Sequence, residues 1–111
     1  MRKSEQMEIN MICETEFERA KAELRDACEP GGQYNRYRLR TCTAWVMETE
    51  KYYMLQSYGT LIACINKTTD TLFDVLRIVY GYTATSAQHI SKFEKDYGQD
   101  KWGCHNRYTA R

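Results

Sequence analysis

Hydrophobic and polar positions change period several times along this chain, and each change marks an element. Between residues 51 and 80, β-branched and aromatic side chains dominate, among them Tyr52, Tyr53, Thr60, Ile62, Ile65, Val75, Ile78 and Val79. This enrichment predicts three successive strands separated by short polar breaks. Tyr58 and Gly59 fall where a two-residue hairpin turn needs positive φ, which glycine adopts at least steric cost. Asn66, Lys67, Thr68, Thr69 and Asp70 make a second, longer turn from residues that hydrogen-bond their own backbone. Leu72, Phe73, Val75, Leu76, Ile78 and Val79 are too densely apolar for simple alternation, so residues 71–80 read as a mid-sheet strand, with a short buried helix as the alternative.

The period then lengthens. Ala87, Ile90, Phe93 and Tyr97 recur at helical spacing over residues 85–97, Thr85 with Gln88 reads as a capping box, and Gly98 reads as the stop. Lys92, Lys95 and Asp96 fall on the outward side. His89 lies one position off the apolar stripe, where a histidine hydrogen-bonded to the sheet is the ordinary expectation and a general base the less common one.

The N-terminal segment carries two patterns at once. Met7, Ile9, Met11 and Cys13 alternate as in a strand, after which Thr15 and Glu18 form a capping box. Alternatively one long helix starts at Ser4, since Ile9, Cys13, Phe17, Ala20, Leu24, Ala27 and Cys28 share one stripe. Both readings make residues 15–28 helical, with Phe17, Ala20, Leu24 and Ala27 inward and Glu16, Arg19, Glu23 and Asp26 outward. Pro30, Gly31 and Gly32 end the pattern.

Residues 34–48 read as one further strand. Alternation places Tyr37, Leu39, Thr41, Thr43, Trp45 and Met47 on one side and Arg36, Arg38, Arg40, Cys42, Ala44 and Val46 on the other. Three guanidinium groups then project at intervals of about 7 Å, given a rise of roughly 3.3 Å per residue. Such a row suits phosphates or an acidic protein groove. It equally suits a solvated strand edge whose charge blocks edge-to-edge pairing.

These elements predict an α+β domain over residues 1–111. Its antiparallel sheet has three to five strands, with an N-terminal helix and a C-terminal helix packed on it. The core spans 15–98, and 99–111 is a partly ordered tail in which Trp102 docks on the sheet and the chain loosens after Tyr108.

The runs S-Y-G-T-L-I-A at 57–63 and G-Y-T-A-T-S-A-Q-H-I-S-K-F at 81–93, followed by Tyr97 and Gly98, resemble a small domain of unknown function. That domain occurs in short proteins encoded by phages and mobile elements of gut and other low-GC Gram-positive bacteria. The resemblance covers roughly half the chain and rests on structural positions, so it transfers no catalytic residue. It implies a phage or mobile-element accessory protein, a class that often binds and blocks host factors, including restriction and CRISPR nucleases.

Composition narrows the choices. With 111 residues, 42% of them hydrophobic, the chain has room for one core. The charged residues among the first thirty leave no apolar run resembling a signal peptide, and no run is long enough to cross a membrane, so the expected location is the cytoplasm of a bacterial host. Net charge is +1, with five Lys/Arg and eight Asp/Glu in residues 1–30 against eleven and seven in the remainder. A dedicated, non-specific nucleic-acid binder would be more basic.

Five cysteines and no C-x-x-C spacing argue for reduced thiols rather than a disulfide framework. Cys13, Cys28, Cys42 and Cys64 lie on expected apolar faces, while Cys104 and His105 sit together in the polar tail without the spacing of a structural zinc site. No nucleophile elbow, phosphate-cradling glycine loop or H-E-x-x-H is present, and no cofactor is implied. Aromatic residues reach 13%, with many tyrosines beside Arg, Lys or Asn, the combination that dominates binding hot spots. The expectation is therefore a non-enzymatic binding protein that inhibits or modulates a host factor, a nuclease effector in its sharpest form, through Arg36, Tyr37, Arg38, Arg40, Lys101 and Arg107. A nucleic-acid-binding accessory protein is the alternative.

Overall fold

The computed structural model describes residues 3–28, 34–39, 44–101 and 103–111. A single helix, α1 (Lys3–Ala27), occupies the N-terminal segment, which decides between its two patterns. With neither proline nor glycine before residue 28, nothing interrupts it, so Thr15 and Glu18 lie inside the helix rather than at its start. Cys13, Phe17 and Ala20 are buried, as their spacing predicts. Glu16 departs from expectation: it turns inward to accept the Tyr52 hydroxyl at 2.8 Å.

Six strands follow: β1 (Asn35–Arg38), β2 (Ala44–Glu48), β3 (Tyr52–Ser57), β4 (Thr60–Asn66), β5 (Thr71–Asp74) and β6 (Asn106–Thr109), in spatial order β1-β2-β3-β4-β5-β6. Two helices separate β5 from β6, the one-turn α2 (Leu76–Val79) and α3 (Ala84–Tyr97). The class is α+β. The sheet, however, is mixed: β1 to β5 pair antiparallel, whereas β6 returns from the tail to pair parallel with β5. Four residues of mixed polarity give β6 no period of its own. Its place depends on α3 carrying the chain across the sheet, a non-local condition.

Three other expectations change. Residues 71–80 are not one strand: β5 ends at Asp74, whose carboxylate accepts the Leu76 N–H at 3.0 Å, and the short-helix alternative holds over Leu76–Val79 as α2. Residues 34–48 form not one strand but the pair β1 and β2, with Arg38 opposite Trp45 and Arg36 opposite Met47. The α3 cap is Thr83, whose hydroxyl accepts the Ser86 N–H at 3.1 Å, rather than Thr85. The two turns agree with expectation. Tyr58 and Gly59 both have positive φ, 51° and 81°, and Asn66 Oδ1 accepts the N–H groups of Thr68 and Thr69.

Helices pack on both faces of the sheet, leaving β1 exposed. On one, Cys13, Phe17 and Ala20 of α1 close on Tyr52, Met54, Cys64, Phe73 and Ala110. On the other, Ile90 and Phe93 of α3 close on Val46, Leu55, Ile62, Ile65 and Leu72. An irregularity in the β3 and β4 register skips Ile62, so that consecutive Ile62 and Ala63 both enter the α3-side core.

Candidate binding surface

Directly paired residues of neighbouring strands share a face, so the β1 and β2 register places Arg36, Arg38, Trp45 and Met47 together. The side chains confirm it. Arg36 Cζ stands 4.0 Å from the Trp45 ring centroid and Arg38 Cζ 4.9 Å. Met47 pairs with Met54 of the α1-side core, so this cluster shares the α1 face, while α1 itself lies over β3 to β6. Both arginines are exposed, Trp45 is half-buried, and neither guanidinium forms an ion pair among the described residues. A cation held against a ring is stabilised by its quadrupole and keeps its N–H edge turned outward. The arrangement suits a planar carboxylate or phosphate.

The other expected contacts do not join it. Tyr37 points to the α3 face, where its hydroxyl donates to Glu48 at 2.9 Å and its ring lies 6.3 Å from Tyr97. That bond raises the Tyr37 pKa above the usual phenol value, while Lys67, 2.7 Å from Glu48, holds the carboxyl below the usual range. Arg40 lies outside the described residues. Lys101 sits in the turn closed by Asp100 and Gly103, ahead of β6. Arg107 is on β6, at the opposite sheet edge from β1, which strand spacing of about 4.8 Å puts roughly 24 Å away. There it bridges Glu94 at 2.9 Å and Asp74 at 3.3 Å.

Sequence alternation missed Trp45 by carrying one count through residues 34–48, although the chain must reverse between β1 and β2. Arg77 and Arg111, which line a cavity at the far edge, were also missed, since no local period singles them out.

His89 takes the structural role. Its Nδ1 lies 2.8 Å from the Ser57 hydroxyl, which also meets Ser86 at 3.2 Å, and burial holds the imidazole pKa below its usual value. Ser57 is 1% exposed, so its oxygen is closed to a substrate. The thiols divide differently from expectation. Cys13 and Cys64 are buried, but Cys28 at the α1 terminus is exposed, and Cys42 lies outside the described residues. Cys104 packs against the α3-side core instead of lying free in a tail, and burial pushes its thiol up to about 12. Among the described residues no three His, Cys, Asp or Glu side chains gather as metal ligands, and no helix is long and apolar enough to cross a membrane.

Compared with protein-family models, curated proteins and solved structures, the chain matches none.

Proposed function

We propose that this chain is a small non-enzymatic binding protein, of phage or mobile-element origin, that inhibits or modulates a host factor through Arg36, Arg38 and Trp45. A restriction or CRISPR nuclease is the sharpest form of that partner. The observation carrying the reading is the pair of guanidinium groups, without an ion pair among the described residues, held 4.0 and 4.9 Å from one tryptophan ring. Stacking restricts the two arginines before any partner arrives, which lowers the ordering cost of binding. Arginine and tryptophan together are the residues that most often anchor protein interfaces.

An acidic protein surface fits better than nucleic acid. The ring face occupied by guanidinium is closed to a stacking base, and net charge of +1 gives little long-range pull toward a polyanion. The partner's carboxylates would meet the arginines in forked pairs, with the half-buried indole as apolar centre. Retention of partner on the tagged chain, with and without nuclease treatment, separates the two. A discrete protein held after nuclease supports this reading. Retention that vanishes with nuclease, and whose logarithm falls steeply with that of salt, transfers it to nucleic acid.

A further inference from the structure

A second polar site lies at the opposite end of the sheet. Between α2, α3 and β6 a cavity of about 350 Å³ opens, lined among others by Asp74, Arg77, Tyr82, Arg107 and Arg111. Three cations and one carboxylate therefore face one small space, and their internal commitments differ. Asp74 is satisfied from within: one oxygen accepts the Leu76 N–H at 3.0 Å and the other meets Arg107 at 3.3 Å. Arg107 is satisfied too, since its second branch meets Glu94 at 2.9 Å.

Arg77 and Arg111 are the uncommitted pair. Neither guanidinium forms an ion pair among the described residues. Arg77 is braced at 5.1 Å over the Tyr82 ring, which leaves its N–H edge for a ligand. Arg111 is anchored by its backbone, whose N–H donates to Asn10 Oδ1 at 2.9 Å while its carbonyl accepts Asn10 Nδ2 at 2.8 Å. Arg77 and Arg111 beside the Asp74, Arg107 and Glu94 cluster bring these five groups to a net charge of +1, and because both carboxylates are already paired with Arg107 their repulsion of an added anion is reduced. The volume lies at the lower end of the range for small-molecule sites, roughly 300–1,000 Å³.

We propose that this cavity binds a phosphate-bearing small molecule, with Arg77 and Arg111 gripping the phosphate and Tyr82 forming one wall. This site is independent of the Arg36, Arg38 and Trp45 surface and stands or falls separately from it.

The test is calorimetric titration of the full chain with pyrophosphate and with ADP, repeated on R77Q, R111Q and K95Q. Lys95 is exposed on α3 and does not line the cavity, so K95Q controls for general charge. The expected result is saturable one-to-one binding that R77Q and R111Q each weaken by at least about tenfold while K95Q leaves it unchanged. Arg77 and Arg111 are exposed, and a circular dichroism spectrum shared with the parent chain verifies that each variant is folded. Absence of saturable binding by either ligand overturns the proposal. So does a loss in K95Q equal to that in the arginine variants.

Discussion

Ser57 Oγ lies 2.8 Å from Nδ1 of His89, so the one buried imidazole of α3 is tied to the end of β3. Burial lowers the His89 pKa, which means that the unfolded chain accepts a proton more readily than the folded one. The sign follows by linkage. The contribution is intact above the ordinary imidazole value of about 6.5 and is lost progressively as pH falls through and below it, at no more than about 1.4 kcal/mol per pH unit. Urea denaturation at pH 7.5 and pH 5.5 should show a lower midpoint at the acidic value. H89Q should be less sensitive over the same interval, and an unchanged difference in H89Q would place the titrating group elsewhere.

Gly98 ends α3 for a reason of space rather than backbone angle. Its φ of −68° suits any residue, but an added Cβ would lie 2.2 Å from the Gly103 carbonyl carbon. That backbone cannot yield cheaply, because Gly103 N–H and C=O are both bonded to Asp100 in the turn leading toward β6. G98A should cost about 1–3 kcal/mol, the usual penalty of overpacking, measured by chemical denaturation. G59A, at the hairpin turn, meets no neighbouring atom and should cost less, through its φ of 81° alone. Equal losses would contradict the close approach.

The thiols should react in a set order. Cys28 is exposed, whereas Cys13 and Cys64 are buried and burial raises both thiol pKa values, Cys13 to about 12. Cys104 is half-buried and raised likewise. Alkylation at pH 8 followed by peptide mapping should therefore modify Cys28 first among the four described thiols. Cys13 and Cys64 should follow only with unfolding, since the thiolate is the reacting species. Rapid labelling of Cys64 in the native protein would contradict its place beneath α1.

Local chemistry made much of this fold legible. The turn at Tyr58 and Gly59, the turn from Asn66 to Asp70 and the inward set Ile90 and Phe93 each follow from neighbours a few residues apart. What was not legible depends on distant partners. β6 becomes a strand because β5 offers it an edge, and the single run read through residues 34–48 divides because Arg38 pairs back onto Trp45. The same reversal rearranges the candidate site. Arg36 and Arg38 stay together and Tyr37 stays on the opposite side, as alternation requires, while Trp45 joins the arginines and Arg107 lies at the far edge. Polarity at one position cannot report which strand will lie beside it.

The surface formed by Arg36, Arg38 and Trp45 is the central claim, and charge reversal on it is the most direct measurement. The parent chain and R36E/R38E, both tagged, would be exposed to nuclease-treated lysate of a Gram-positive bacterium and the retained proteins compared by mass spectrometry. Both arginines are exposed and outside the two cores, so the variant should fold, with each lost stacking contact worth about 0.5–1 kcal/mol. The expected result is a discrete protein retained by the parent chain and reduced at least about tenfold on R36E/R38E. A protein retained equally by both would contradict the assignment of this surface, and retention by neither would contradict the proposed function itself.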